Sequence, residues 1–240
     1  MLVLTTFSIA ARCPRTGMVG VAVCTAVPAV GSLCPFAKPR VGAVATQSFV
    51  NPYLGIDGLQ LLGKGLSAQE TLEQLLAGDP GRNVRQLSVV DSHGNAAAFT
   101  GKDCFSWYGH IVGDGYAVAA NMMVDETTVA AMAQAFEANS SDELPERLLK
   151  SLEAGDSTGG DYRGRQSAAL LVYNTEDYPY RSLRVDEHCQ PVAELRRIFE
   201  VSRQQLFPFI EMLPTRANPR GATITDSASD NVLLKTVDKR

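Results

Sequence analysis

The feature that most constrains this chain is a pair of apolar segments near its start that carry no charged residue. They are Phe7-Ser-Ile-Ala-Ala11 and Met18-Val-Gly-Val-Ala-Val-Cys24, separated by Arg12 and the stretch Cys13-Pro-Arg-Thr-Gly17. Proline and a closing glycine in so short a connection are typical of a turn between antiparallel strands. Because exposing either apolar segment to water would cost free energy, both faces of the hairpin must be covered by other parts of the protein. The sequence therefore predicts a hairpin over residues 6–24 at the centre of a sheet.

The rest of the chain divides into groups of predicted strands and groups of predicted helices. Strands are predicted, from short β-branched apolar runs, at 41–49, 85–91, 96–99, 116–123, 166–173 and, as an edge strand, 181–185. The intervening stretches 26–40 and 100–115 are predicted to be loops. Helices are predicted, from apolar residues at helical spacing, at 53–63, 67–78, 125–138, 140–155 and 191–206. Strands grouped with strands and helices with helices favour an α+β fold, in which two packed, largely antiparallel sheets each carry an outer helical layer.

Length and composition limit the class of protein. The 240 residues, 45% hydrophobic and 20% charged, predict a single domain at 1–213 and a polar C-terminal tail at 214–240. A net charge of −4 without a basic stripe argues against nucleic acid as a partner. No apolar run approaches the roughly 20 residues that span a bilayer, and Leu2 to Leu4 is too short for a signal peptide. These features predict a cytoplasmic protein without a membrane partner.

The cysteines and histidines do not group into a recognisable site. Five cysteines occur singly, with no C-x-x-C pair, and the three histidines are scattered. The spacing predicts no metal site and no cofactor, and it gives little support to a histidine-based triad. The cysteines are interpreted as small buried residues in a reducing compartment, with Cys24 or Cys34 as a catalytic thiol the minor alternative.

A hydroxyl residue stands at the start of the predicted central hairpin. Thr6 has the chemistry of an N-terminal nucleophile, in which the side-chain oxygen attacks and the α-amine of the same residue is the base. Met1 to Thr5 precede it, and Leu2 should block removal of the initiator methionine. Activity is therefore expected to require cleavage of the Thr5–Thr6 bond or a start of translation at a later position.

Several motifs together resemble one family. They are Thr6-Phe-Ser-Ile-Ala-Ala-Arg12, Gly20-Val-Ala-Val23, Gly42-Ala-Val-Ala-Thr-Gln47, Asp79-Pro80 with Arg85-Gln86, Gly113-Asp-Gly-Tyr-Ala-Val118 with Asn121-Met122, and Gly160-Asp-Tyr-Arg-Gly-Arg-Gln-Ser-Ala-Ala169. Over about residues 5 to 210 the chain resembles the family catalogued as domain of unknown function 1028, whose known structure resembles the N-terminal-nucleophile hydrolase fold. The resemblance implies a four-layer αββα sandwich. In typical members the initiator methionine directly precedes the Thr-Phe-Ser-Ile run, so its removal would expose the threonine. Here Thr6 occupies the position of that threonine, and five residues precede it.

The resemblance also implies roles for individual residues. Thr6 resembles the nucleophile of threonine-type N-terminal-nucleophile hydrolases. Lys38 falls about where related enzymes keep a lysine beside that nucleophile, although a solvated loop charge is the simpler interpretation. Asn121 or the amides near Gln47 are expected to stabilise the oxyanion. The remaining polar residues, expected either to grip a polar substrate or to fix a loop by a buried ion pair, are Asp161, Arg163, Arg165 and Gln166.

Three functions remain open from the sequence. The first is hydrolysis of an amide C–N bond in a small polar substrate, with Thr6 as nucleophile after removal of the preceding residues. The second is a non-catalytic protein of the same fold that binds a small polar ligand or a partner. The third is a structural subunit of a homo-oligomer whose helical layers pair between chains.

Overall fold

A computed structural model describes residues 6–159 and 164–222. The chain forms two compact units, one extending to Leu195 and the other beginning at Arg196. All strands lie in the first unit. The domain boundary predicted at residue 213 falls inside the second unit.

Among the described residues, ten strands form two sheets. The strands are β1 (Thr6–Arg12), β2 (Val19–Thr25), β3 (Pro35–Lys38), β4 (Gly42–Ser48), β5 (Arg85–Asp91), β6 (Ala96–Thr100), β7 (Trp107–Gly113), β8 (Tyr116–Met123), β9 (Ser167–Tyr173) and β10 (Arg181–Val185). One sheet has the order β10-β9-β2-β1-β8-β7 and the other the order β3-β4-β5-β6. Within the described ranges every strand pairing is antiparallel. The β1–β2 hairpin occupies the middle of the larger sheet, so its predicted central position is confirmed.

Six α-helices accompany the described strands. They are α1 (Pro52–Gly63), α2 (Ala68–Gly78), α3 (Thr127–Ala138), α4 (Leu144–Ser157), α5 (Pro191–Gln205) and α6 (Phe207–Glu211). None of them, in the part of the chain described, combines the length and apolar composition that a bilayer crossing requires. The α+β fold with two antiparallel sheets predicted from the block order is confirmed.

The helices and sheets of the first unit are stacked in layers. Helices α1 and α2 pack on the outer face of the four-stranded sheet, where Leu54 and Leu72 meet Val44 and Leu87. Helices α3 and α4 pack on the larger sheet, and the two sheets face each other. The small side chains that fill the space between the sheets include Ala10, Val21, Val23, Ala43, Ala45 and Val90. Fully burying a valine-sized side chain contributes about 1.5–3 kcal/mol, so this layer is a main source of stability.

Two predicted loops contain strands instead. The stretch 26–40 includes β3, and the stretch 100–115 includes β7. Both strands lie at sheet edges, where a proline such as Pro35 or a glycine such as Gly109 is tolerated because fewer ladder bonds are needed. The loop predictions were wrong because proline and glycine, which disfavour a central strand, do not exclude an edge strand.

The second unit contains the end of α5 and the short helix α6. A hydrogen-bonded turn follows, in which the amide of Ala222 donates to the carbonyl of Met212 over 3.0 Å and that of Thr215 donates to the carbonyl of Asn218 over 2.9 Å. The first described residues of the predicted tail are therefore a closed turn.

Candidate active site

The space between the two sheets is apolar at one end of β1 and polar at the other. Ala10 belongs to the apolar cluster between the sheets, whereas Ser8 and Thr6, on the same face of the strand, lie among polar groups. We call the connected side chains at this end the inter-sheet polar network; its members are Ser8, Gln47, Gln86, Asn121, Thr100 and His110. The first four are at most 1% exposed. Polar groups this deeply buried must be hydrogen-bonded to one another or to the backbone.

Gln47 links the smaller sheet to Thr6. Its Nε2 donates to the carbonyl of Thr6 over 3.3 Å, to that of Ala119 over 3.1 Å and to Gln86 Oε1 over 2.7 Å. Its Oε1 accepts from the hydroxyl of Ser8 over 2.6 Å. Because carbonyl oxygens only accept, the two backbone contacts determine which end of the amide is Nε2.

Gln86 has its orientation set in the same way. Its Nε2 donates to the carbonyls of Gly109 over 3.0 Å and Ala120 over 2.9 Å, and to Thr100 Oγ1 over 2.9 Å. Its Oε1 therefore points the other way, where it accepts from Gln47 and from Asn121 Nδ2. The network has a single donor–acceptor direction imposed by backbone carbonyls.

Asn121 lies opposite Thr6 in the pairing of β8 with β1. Its Nδ2 donates to Gln86 Oε1 over 2.9 Å and reaches the carbonyl of Thr6 at 3.4 Å. Its Oδ1 is buried and has no hydrogen-bond partner among the described residues, as is also true of the hydroxyls of Thr71 and Ser88 outside the network. Leaving a buried acceptor unpaired costs about 1–3 kcal/mol, so this oxygen calls for a functional explanation.

Backbone strain flanks the same two side chains. Ser48, which follows Gln47, has φ 67°, and Met122, which follows Asn121, has φ 59°. Residues other than glycine rarely adopt this left-handed region, and each such residue costs about 1–3 kcal/mol. Strain of this kind clusters at functional sites, which favours this end of the sheets as the site.

Thr6 itself is held on both sides. Its Oγ1 lies 3.2 Å from Thr25 Oγ1 on β2, and its carbonyl accepts from Gln47 and Asn121. The residue is fully buried, with 0% of its surface exposed. Of the residues predicted to surround the nucleophile, Gln47 and Asn121 are therefore brought to Thr6.

The predicted substrate-gripping residues are only partly described. The amide of Gln166 donates to the carbonyl of Thr25 over 2.8 Å, one strand away from Thr6. Arg165 forms a part-exposed ion pair with Asp156, a residue outside the predicted group of four. Asp161 and Arg163 lie outside the described residues.

Lys38 lies elsewhere. It is exposed at the end of β3 and pairs with Gly42, five residues before Gln47 on β4. At about 3.4 Å per residue this separates it from the Thr6 end by roughly 17 Å, beyond the reach of a lysine side chain. The expected position of Lys38 beside Thr6 is therefore wrong, because β3 runs antiparallel to β4 and carries the lysine away from the site.

Sequence reasoning missed the outer part of the network. Thr100 Oγ1 accepts from Gln86 and lies 2.8 Å from Nδ1 of His110 on the edge strand β7. His110 is exposed at the sheet edge, but partial desolvation of its ring lowers its pKa, which favours a neutral ring whose Nδ1 accepts a hydrogen bond from the Thr100 hydroxyl. One signal was present in the sequence, since Gln86 is an uncharged polar residue directly before the mainly apolar segment Leu87-Ser-Val-Val90. No three His, Cys, Asp or Glu side chains converge as metal ligands in the part of the chain described.

The fold and the buried polar site define an α+β protein with two facing antiparallel sheets. A family model described as "Family of unknown function (DUF1028)" matches residues 6–195, so the chain belongs to this family and the predicted resemblance is confirmed. The crystal structure of protein SPO2555 from Silicibacter pomeroyi, which carries the same family model, is similar with a TM-score of 0.83 and 29% sequence identity. The similarity covers 91% of this chain and 99% of that one. A comparison with curated proteins found no match.

Proposed function

We propose that this protein is an N-terminal-nucleophile hydrolase that cleaves the amide bond of a small polar substrate, with Thr6 as nucleophile once its α-amine is free. The observation that carries the proposal is that Thr6 is fixed at the start of the central strand by two hydrogen bonds. Its carbonyl accepts from the side-chain amides of Gln47 and Asn121. The succession of helices, sheet, sheet and helices in the first unit supports assignment to the αββα sandwich of that superfamily. Fold alone does not determine function, so the proposal rests on the site.

The proposed chemistry uses one residue as both nucleophile and base. Thr6 Oγ1 attacks the substrate carbonyl carbon, and its proton passes to the neutral α-amine of the same residue. The amine then gives this proton to the departing nitrogen as the C–N bond breaks, which leaves an ester on Thr6. Water attacks the ester, the amine takes up a proton from the water, and Thr6 Oγ1 regains a proton as the carboxylic acid departs. An α-amine with a pKa of about 7.7–8.0 is suited to this exchange near neutral pH.

Gln47 and Asn121 act as positioning residues in this proposal. Asn121 Nδ2 already donates to Gln86 and lies near the Thr6 carbonyl, so stabilising an oxyanion would require it to break those contacts. Its unpartnered Oδ1 is better suited to accept a hydrogen bond from the free amine of Thr6. This contact would direct the lone pair of the amine toward the Thr6 hydroxyl.

Substrate selection is assigned to the segment before β9. Gln166 lies against Thr25, next to Thr6, which makes it the described residue best placed to contact a substrate there. A cytoplasmic location and the use of a small polar molecule without a metal, cofactor, nucleic acid or membrane remain predictions from the sequence.

One observation favours the second candidate function, a non-catalytic binding protein of the same fold. Thr6 is completely buried, so a substrate cannot reach its hydroxyl in this arrangement. Release of the residues before Thr6 is the event that would distinguish the two functions, because it frees the amine.

The test compares two forms of the chain on acyl-amide and glutamyl-amide substrates. A chain translated as Met followed by Thr6 loses its methionine and exposes the amine, whereas the full chain keeps an amide there. We expect hydrolysis by the shortened form alone, abolished by Thr6→Ala and partly kept by Thr6→Ser. Equal hydrolysis by the full chain would refute the amine-base mechanism, and a folded but inert shortened chain would favour the binding function.

A further inference from the structure

A cavity lies at the opposite end of β1 from Thr6. It has a volume of about 450 Å³ and lies among the end of β1, the turn between β7 and β8, and the turn that joins α3 to α4. The lining residues that carry charge are Arg12, Arg15, Asp114, Glu137 and Arg147. With seven residues in β1, this cavity is roughly 20 Å from Thr6 and independent of the site proposed there.

Arg147 is the most unusual of these residues. It is only 7% exposed, and its guanidinium stacks 3.8 Å from the centre of the Phe136 ring. Nε and Nη2 donate to the carbonyl of Phe136 over 3.3 and 3.1 Å, which satisfies an acceptor in the last turn of α3. Nη1 has no acceptor among the described residues, and none of their carboxylates lies within ion-pair distance of Arg147. Burial lowers the pKa of this guanidinium, as expected for a cation removed from water.

A buried cation is normally paired, since an isolated one is costly to remove from water. Arg12 adds a second, half-buried guanidinium, and in the part of the chain described it too makes no hydrogen bond or ion pair through its side chain. Arg15 differs, because its Nη2 already donates to the carbonyls of Ser140, Ser141 and Asp142 over 3.2, 2.8 and 2.7 Å. Neither Arg12 nor Arg147 thus forms an ion pair with a described carboxylate, and Arg147 has only the longer-range attraction of Asp142.

The same cavity also presents acceptors. Glu137 Oε1 accepts from the hydroxyl of Tyr116 over 2.6 Å, and its second oxygen has no hydrogen bond from a described residue. Asp114, at the turn between β7 and β8, makes no hydrogen bond or ion pair through its side chain with the described residues. Positive and negative groups that do not pair with each other across one cavity suit a ligand that carries both charges.

We propose that this cavity binds a small free amino acid, with its carboxylate on Arg12 and Arg147 and its ammonium group on Asp114 and Glu137. A guanidinium presents parallel N–H donors that match the two oxygens of a carboxylate. The ammonium group needs acceptors, which the two side-chain carboxylates supply.

The test uses three probes that differ by one group: L-alanine, propionate, which lacks the amino group, and ethylamine, which lacks the carboxylate. Each is titrated into the ¹⁵N-labelled full chain to about 50 mM, since a minimal ligand is expected to bind in the millimolar range. We expect L-alanine to cause saturable shifts around Tyr116 and Glu137, and both partial probes to bind at least about tenfold more weakly.

Variants separate the two halves of the proposed site. Arg12→Gln should weaken L-alanine binding about tenfold or more, whereas Arg82→Gln, which removes an exposed arginine elsewhere, should leave it unchanged. Asp114→Asn should weaken L-alanine while leaving propionate unaffected. Both substitutions are at positions with accessible side chains, and an unchanged spectrum away from the cavity verifies folding. The absence of saturable shifts, equal binding of propionate and L-alanine, or binding unaffected by Arg12→Gln would each overturn the proposal.

Discussion

The hydroxyl of Ser8 on the six-stranded sheet donates to Oε1 of Gln47 on the four-stranded sheet over 2.6 Å. This contact joins the two sheets through side chains at a point where neither is exposed to water. It also continues the single donor–acceptor direction of the inter-sheet polar network, because Gln47 Nε2 in turn donates hydrogen bonds to Gln86 Oε1 and to the Thr6 carbonyl. The network is therefore expected to tolerate loss of a donor poorly.

Gln86→Glu should be strongly destabilising. Gln86 Nε2 donates to the carbonyls of Gly109 and Ala120 and to Thr100, and a carboxylate would present an acceptor to all three. We expect a loss of about 3 kcal/mol or more in the free energy of unfolding at pH 7, measured by urea denaturation. Gln74→Glu, an exposed change of the same chemistry on α2, should stay within about 0.5 kcal/mol of the parent protein.

The pH dependence of that variant gives an independent check. Burial raises the pKa of a carboxyl group above its unfolded value of about 4.3, so the folded state holds the proton more tightly. Relative to the parent protein, Gln86→Glu should therefore be least destabilised at low pH, and its loss of stability should grow as the pH rises above about 4.3. A difference from the parent protein that shrinks as the pH rises would show that the carboxylate is accommodated and that the assigned direction of the network is wrong.

His110 should titrate below the ordinary histidine value. Partial desolvation of its ring lowers its pKa, and the Thr100 hydroxyl can donate to Nδ1 of the neutral ring. NMR titration of the ring protons should give a midpoint below about 6.5, and Thr100→Val should move that midpoint upward because the neutral ring loses its donor.

The lowered pKa of His110 also determines how this histidine changes the free energy of unfolding with pH. Between the folded pKa of His110 and about 6.5 the unfolded chain binds more protons, so this histidine makes the protein less stable as the pH falls through that window. A His110 midpoint above the ordinary value would contradict the neutral, partly desolvated ring assigned to it.

Gly101→Ala should destabilise the packing of the residue that follows β6 against the segment that precedes β5. A Cβ atom at this position would lie 2.2 Å from the carbonyl oxygen of Asn83 and 2.6 Å from that of Arg82, both of them backbone atoms that cannot rotate away. We expect a loss of about 2–3 kcal/mol in the free energy of unfolding, measured from the urea midpoint. Gly78→Ala, where no atom lies within 4 Å, should be neutral or slightly stabilising at the end of α2.

The sequence was most informative where local composition decides the structure. The β1–β2 hairpin had to be central because its strands carry no charge between Phe7 and Ala11 or between Met18 and Cys24, and the structure places it there. Strands β3 and β7 were missed because Pro35 and the glycines of β7 are compatible with edge strands, whose identity depends on neighbours distant in sequence.

The candidate site was only partly predictable for a related reason. Gln47 and Asn121 were singled out with Thr6, but their contact with its carbonyl depends on how the two sheets are set against each other. Lys38 was placed by its distance along the chain, which does not indicate the direction in which β3 runs. Gln86, Thr100 and His110 became recognisable only when the strands were brought into register.

Covalent labelling of Thr6 tests the central claim most directly. The full chain and the form that begins at Thr6 are treated with a hydroxyl-directed electrophile, and the adducts are located by intact-mass measurement and peptide mapping. The account predicts a single adduct on Thr6 in the shortened form, absent from its Thr6→Ala variant and from the full chain, because only a free amine can take up the hydroxyl proton. Equal labelling of Thr6 in both forms, or none in a folded shortened form, would contradict it.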